Sequence, residues 1–302
     1  MAAQHQSFVV TTGTGSGKSL AFIVPMIDHI LKAKAKDSTP RTRGIIIYPM
    51  NALANSQLEE FNKFNLTDGS LPHPITVARY TGQESAEERK ALVDNPPDII
   101  LTNFMMLELI LTRYEDIDRA VIEHSIGLEF LVLDELHTYR GRQGADVAML
   151  VRRLKERLEA HDLLCIGTSA TMSSEKAKNK RNEVVATVAS KLFGTEVKPT
   201  SIIGETLVRV TNPALSIKAI KQSLPERVRS IDSLSLSYSE LKDDPLAIWV
   251  ELTLGIDIDS QGSPVRAKPK TLSEAARLLG NDTGIDPMTA KQALQKFLLK
   301  IE

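Results

Sequence analysis

Two short stretches hold the residues whose types and spacing could do chemistry. The first is TTGTGSGKSL, residues 11–20, in which glycines at 13, 15 and 17 lead into Lys18 and Ser19. Glycine lets the backbone turn tightly and aim several N–H groups at one anion, and a helix starting just after adds its positive end. A lysine placed there reaches the terminal phosphates of a nucleotide, and the hydroxyl after it can hold the divalent cation. Thr12, Gly13, Thr14, Gly15, Ser16, Gly17, Lys18 and Ser19 therefore form a candidate phosphate-binding loop. The second stretch is FLVLDELHTYRG, residues 130–141, an apolar run that ends in Asp134 and Glu135. One carboxylate at such a strand end can hold the metal of a nucleotide, and the next can orient and deprotonate a water. A kinase has no need of that second carboxylate; a nucleotide hydrolase does.

Both stretches require strands that end where the chemistry begins. SFVV before the loop reads as a buried strand, and SLAFIVPMIDHIL after it as a helix. Further strands are predicted at GIIIYP, ITVARYT, DIILT, LEFLVLDE and LLCIGTSA. Helices alternate with them at NALANSQLEEFNKF, SAEERKALVD, NFMMLELILTR and ADVAMLVRRLKERLEA. Such alternation predicts an α/β fold, a parallel sheet with helices on both faces. Ligands of such sheets sit outside the carboxyl ends of the strands, where the polar motifs recur. SSEKAKNKRNEVVATVASKLFG reads as a basic-leaning helix with a solvated face, and ETLVRVT as one more strand near the sheet edge.

Composition narrows the function classes. The 302 residues carry a net charge of −1, which excludes a polycationic nucleic-acid coat; contacts with nucleic acid must come from local patches and backbone amides. The single cysteine, Cys165, lies in an apolar run, cannot form an internal disulfide and fits a reducing compartment. The histidines show no metal-ligand spacing, no apolar run is long enough for a bilayer, and no signal peptide is evident, so a cytoplasmic protein without membrane partners is expected.

Taken in order, the motifs resemble those of the superfamily 2 DExH/DEAD-box helicases over roughly residues 7–210. TGTGSGKS matches motif I in its helicase form, with Thr12 where the general phosphate-loop pattern has glycine. YPMNALANSQ is similar to motif Ia, YTG and LTNFMML to the Ib region, Asp134-Glu135-Leu136-His137 to motif II, and GTSATM to motif III. The wording LVLDELHTYRG, followed by VRRL, is similar to RecQ-like bacterial and fungal repair helicases and to relatives in phage defence. The resemblance implies an N-terminal RecA-like motor lobe of the P-loop NTPase class, using ATP and Mg²⁺. Lys18, Asp134 and Glu135 would be catalytic, with Ser19 and Asp134 on the metal. His137, Ser169 and Thr171 would couple nucleotide to track. Asn51, Thr81, Gly82, Thr102 and Asn103 would lie along a nucleic-acid backbone, DNA rather than RNA, and the protein would work at the nucleoid. Each polar residue has a plainer use: Thr102 and Asn103 could cap the helix FMMLELIL, Asn51 could cap ALANSQLEEF, and Ser169 and Thr171 could be turn residues. An ATP-driven duplex translocase of a defence complex, or a nucleotide-gated interaction module, would share the same motifs.

Two departures limit what the resemblance implies. Neither Gln4 nor Gln6 can be assigned the adenine-reading role that these helicases place upstream of motif I. After GTSATM there is no Gln-x-x-Gly-Arg-x-x-Arg pattern, so the second RecA-like lobe and its arginine finger are expected from a longer chain or a partner subunit. The division expected is a RecA-like domain over 1–212 and a mainly helical satellite over 213–302. In the satellite, Asp244-Pro245 opens a helix ending near Gly255, Thr271 and Glu274 form a capping box for a helix ending near Gly280, and Asp286-Pro287 opens the last helix. DIDSQGSPVRAKPK reads as a linker. The last two helices could be a helix-turn-helix that touches DNA, but without a basic recognition helix a packing insert is the favoured reading.

Overall fold

Short runs rich in Val, Ile and Leu make seven strands of one parallel sheet, the central ones buried on both faces and the edge strands partly exposed. The computed structural model describes residue 2 and residues 5–13, 17–64, 73–170, 178–231, 237–258 and 264–301. It divides the chain into two units, Met1–Glu205 and Thr206–Glu302.

In the first unit the strands are β1 (Phe8–Thr11), β2 (Gly44–Tyr48), β3 (Val77–Tyr80), β4 (Ile99–Asn103), β5 (Phe130–Leu133), β6 (Leu164–Ser169) and β7 (Ile202–Gly204). They lie in the order β3-β4-β2-β5-β6-β1-β7, every pair parallel. The helices are α1 (Leu20–Lys34), α2 (Asn51–Asn62), α3 (Ala86–Asp94), α4 (Phe104–Thr112), α5 (Asp116–His124), α6 (Gly141–Arg157) and α7 (Lys178–Phe193). Alternate residues of each strand serve opposite faces. On one face Phe22, Ile23 and Met26 of α1 share a core with Ile46, Val132 and Ile166. On the other, Val147, Leu150 and Leu154 of α6 share a core with Ile45, Leu131 and Leu133.

Three features of this unit depart from the sequence reading. Helix α5 was not anticipated. Its buried Asp118 accepts the hydroxyl of Tyr80 at 2.5 Å, so a residue that reads as a solvated charge faces inward. Residues 205–211 are not a strand; β7 takes the sheet edge beside β1 instead. The reason is that the carboxylate of Glu251 takes the backbone N–H groups of Val210 and Thr211, at 2.6 and 2.9 Å, which ties this segment to the second unit. For the same reason the division falls after Glu205 rather than after residue 212.

The second unit comprises α8 (Ile217–Ile220), α9 (Leu224–Arg229), α10 (Tyr238–Leu241), α11 (Pro245–Val250), β8 (Ile256–Ile258), β9 (Pro264–Arg266), α12 (Leu272–Thr283) and α13 (Pro287–Ile301). Asp244 caps α11 through two amides at 2.9 Å, and Thr271 with Glu274 forms the expected capping box. Helix α12 does not stop at Gly280. Buried Gly280 lets the chain fold back closely, and the left-handed Gly284 (φ +70°) ends the helix. The supposed linker is in part an antiparallel ribbon, β8 against β9. Trp249 is fully buried, its indole N–H donating to Asp282 at 2.7 Å.

Gly167 is where the sheet and the second chemical motif press closest. A Cβ there would lie 3.0 Å from Leu136 Cγ and 3.1 Å from Phe193 Cζ. Gly167→Ala should therefore cost about 1–3 kcal/mol of stability through overpacking. Urea unfolding monitored by circular dichroism checks it: an unchanged midpoint would mean that Leu136 can move aside.

Candidate functional site

The carboxyl ends of the parallel strands collect the motif residues. The loop after β1 carries Lys18 and Ser19, the turn after β5 carries Asp134, Glu135 and His137, and Ser169 ends β6. Gly17 has φ +72°, a conformation that residues with a Cβ rarely adopt, and so it must be glycine where the loop turns into α1. The hydrogen bonds Leu20 N–H to Gly17 O and Ala21 N–H to Lys18 O start the helix, so Ser19 sits in its first turn. Ser19 makes no side-chain cap. Thr14, Gly15, Ser16 and Thr171 lie outside the described residues.

Lys18 Nζ lies 3.3 Å from Glu135 Oε1, with the two side chains only 11% and 21% exposed. The lysine of the candidate phosphate loop and the candidate base are thus in direct contact. Glu135 itself is left-handed, φ +52° and ψ +54°, a conformation that costs a non-glycine residue on the order of 1–3 kcal/mol. That turn sends its carboxylate back toward Lys18. His137 Nδ1 lies 3.1 Å from Glu135 Oε2, an ionic contact when the ring is protonated, and 3.4 Å from Ser169 Oγ. His137 and Ser169, two of the residues expected to couple nucleotide to track, are thus in contact.

Thr168, which the sequence did not single out, belongs to the same cluster. Its hydroxyl accepts the backbone N–H of Glu135 at 3.1 Å and donates to Asp134 Oδ1. The signal was strand phase. β5 and β6 pair Leu133 with Gly167, so one more step sets Asp134 beside Thr168 rather than beside Ser169. Burial pushes the Asp134 carboxyl pKa up, the Thr168 hydrogen bond opposes this, and the charge of Glu135 adds to the rise. The side chains that could hold a hard cation are the Ser19 hydroxyl and the Asp134 carboxylate. Among the described residues no group of three or more His, Cys, Asp or Glu side chains forms a metal site. A cation completed by phosphates and water needs no more than one or two protein oxygens.

The residues expected along a nucleic-acid track behave differently from one another. Asn103 caps α4 by accepting the Met106 N–H at 2.7 Å, and its amide donates to Asn51 at 2.6 Å and to Thr81 O at 3.1 Å. Asn51 is the first residue of α2 and not its cap, so it lies at the mouth of the sheet paired with Asn103. Thr102 is a correction: it is fully buried, and its hydroxyl is spent on Tyr80 O at 2.6 Å, so it holds β4 to β3 and faces no strand. Thr81 is buried as well, while Gly82 is exposed.

Comparison with known proteins agrees with this geometry. The family model for DEAD/DEAH box helicases matches residues 1–179. The uncharacterized ATP-dependent helicase YprA of Bacillus subtilis is 34% identical over 173 residues, covering 57% of this chain and 21% of its own length. The uncharacterized ATP-dependent helicase MJ1574 of Methanocaldococcus jannaschii is 32% identical over 175 residues, covering 56% of this chain and 24% of its own. The chain thus spans less than a quarter of the length of these two relatives. Among solved structures, the helicase Lhr of Mycobacterium smegmatis bound to ssDNA and AMP-PNP is similar with a TM-score of 0.53 at 24% identity, covering 76% of this chain and 29% of that one. That likeness bears on the fold, which is RecA-like.

The raised pKa of Asp134 has a consequence for stability. An aspartate whose folded pKa exceeds its unfolded value binds more protons folded than unfolded between the two values, so stability falls as pH rises through that window. Ionised Asp134 therefore weakens the ligand-free fold at neutral pH. Asp134→Asn, which can still accept from Thr168, should melt higher than the wild type at pH 7 without nucleotide or metal. The difference should shrink as pH falls toward the ordinary aspartate range. Melting curves across pH 3 to 7 test this, and an equal or lower midpoint for the variant at pH 7 would contradict it.

Proposed function

The chain belongs to the DEAD/DEAH box helicase family, and from that premise we propose that it is the ATP-binding lobe of an ATP-dependent DNA helicase. The observation that carries this reading is the convergence of Lys18, Asp134 and Glu135 at one end of the sheet, with Glu135 3.3 Å from Lys18 and 3.1 Å from His137. A phosphate-transfer enzyme works mainly by positioning and charge stabilisation, and these residues supply both.

In the ligand-free protein Lys18 is paired with the base. A triphosphate offers Lys18 a stronger partner, so binding draws the ammonium away and leaves Glu135 to accept a proton from water. Ser19 and Asp134 would hold Mg²⁺, which offsets charge on the phosphates when bound. His137, touching both Glu135 and Ser169, is placed to pass a change at the base to the end of β6. Asn51 and Asn103 open on the same end of the sheet, where a strand could lie along exposed Gly82 and the helix starts. Contacts of this kind position a backbone without reading its sequence. DNA is the track favoured, in keeping with the single-stranded DNA held by the Lhr helicase of similar fold. The other half of the motor, with its arginine finger, would come from a second RecA-like lobe in the longer protein or from a partner subunit.

In the full-length protein, Glu135→Gln should keep ATP binding and lose roughly 10²–10⁴-fold in turnover, the range for general base catalysis. Lys18→Ala should instead weaken binding of the triphosphate itself. Steady-state ATPase assays beside nucleotide titrations separate the two, and near-wild-type turnover in Glu135→Gln would remove the base assignment. A strand-displacement assay on the same protein distinguishes unwinding from translocation on intact duplex.

Residues 1–302 alone should show little DNA-stimulated ATPase, because an arginine finger contributes on the order of 10³–10⁵ in rate. Adding the second lobe in trans should restore hydrolysis that depends on nucleic acid. Robust stimulated hydrolysis by residues 1–302 alone would mean that the finger is present within them or arises by self-association.

A further inference from the structure

The turn after β3 is an anion site already filled from within. Three successive amides, those of Thr81, Gly82 and Gln83, donate to one carboxylate oxygen of Glu84 at 2.9, 2.8 and 3.1 Å. The Thr81 hydroxyl donates to the other oxygen at 2.8 Å. Gly82 makes the convergence possible with φ +89°. Backbone concavities of this sort bind phosphate in many proteins. Glu84 is only 5% exposed. Burial works to raise its pKa, but the hydrogen bonds from Thr81 and Gly82 outweigh it and hold the carboxyl below its ordinary range.

This bonding bears directly on the expected track. The N–H groups that Thr81 and Gly82 could offer a nucleic-acid backbone are both directed at Glu84, as is the Thr81 hydroxyl. Yet the turn lies at the carboxyl end of the sheet, Gly82 and Gln83 are exposed, and Asn103 reaches it through Thr81 O at 3.1 Å. We propose that Glu84 is an internal stand-in for a nucleic-acid phosphate: its carboxylate holds the Thr81–Gln83 turn in shape when no strand is bound, and yields those donors to a backbone phosphate when one docks. The strand-docking half of this proposal rests on the nucleic-acid reading above, whereas the anion site rests on geometry alone. The exchange is close to balanced, because the same four donors are satisfied before and after and the released carboxylate is taken up by water.

Glu84→Ala in residues 1–302 empties the site and is read in two ways. Inorganic phosphate, compared with chloride at equal ionic strength, should raise the melting temperature of the variant and leave the wild type unmoved. A fluorescent single-stranded DNA should bind the variant roughly tenfold tighter, the equivalent of one charge-assisted hydrogen bond that no longer has to displace a carboxylate. Glu87→Ala removes a neighbouring exposed carboxylate and should shift affinity much less. If Glu84→Ala does not fold, Glu84→Gln keeps the size, loses the charge and should move both readouts the same way by less. Failure of phosphate to stabilise either variant would overturn the anion site. Phosphate stabilisation with unchanged or weaker DNA binding, or an equal gain in Glu87→Ala, would overturn the exchange. If phosphate stabilises the variant while neither protein binds DNA, it is the nucleic-acid reading that has failed, and the exchange falls with it while the anion site stands.

Discussion

One hydroxyl fixes the chemistry of this site. Thr168 accepts the N–H of Glu135 and donates to Asp134, so the two carboxylates are set by a single side chain on the neighbouring strand. It can do so only because β5 and β6 run parallel in a register that pairs Leu133 with Gly167. A slip of one residue would turn Thr168 to the other face and move the whole buried set with it. The fit of Leu136 and Phe193 against Gly167, where any side chain would clash, opposes that slip. The local cost of the site, a left-handed Glu135, is thereby sustained by packing that lies well inside the sheet.

From that anchor the other contacts follow in order. With Asp134 held toward β6, the left-handed turn carries Glu135 to Lys18, and the short helical turn at Leu136–Thr138 buries Leu136 completely and brings His137 back to Glu135 and Ser169. Leu136 presses on Gly167 from the same side. The polar cluster and the hydrophobic core are therefore one construction at this point: within residues 133–139, Leu133, Leu136 and Tyr139 fill the core, while Asp134, Glu135 and His137 between them form the polar cluster.

Much of this was legible in the sequence, and the parts that were not have particular causes. A phosphate loop needs glycines followed by Lys-Ser, and a buried strand needs β-branched runs; both requirements are local, so β1, α1 and the carboxylate pair could be read directly. Thr168 could not, because choosing it over Ser169 needs the phase of β6 against β5. Thr102 has the residue type of a phosphate contact but points between β4 and β3, which only the pairing reveals. Residues 205–211 carry strand-like apolar residues, yet a carboxylate distant in sequence, Glu251, takes two of their amides. Helix α5 was hidden by its own charges, one of which, Asp118, accepts a tyrosine hydroxyl inside the core.

A net charge of −1 is an odd endowment for a lobe that, on the function proposed, would hold two polyanions, a triphosphate and a nucleic-acid backbone. Local bonding explains how it can. Lys18 is met by Glu135, the amides of Thr81, Gly82 and Gln83 are met by Glu84, and Asp134 is met by Thr168. The cation and amides that would receive phosphates are thus satisfied at close range by the chain's own carboxylates. Such pairing lets strong anion-binding groups sit in a ligand-free fold without the penalty of buried, unanswered donors. It also means that an incoming phosphate competes with a tethered carboxylate at each position, so the affinity expressed is a difference between two anions and not the full strength of the donors. Grip of that moderated kind would suit the motor role proposed, in which a lobe releases its nucleotide and its track on every cycle as readily as it takes them.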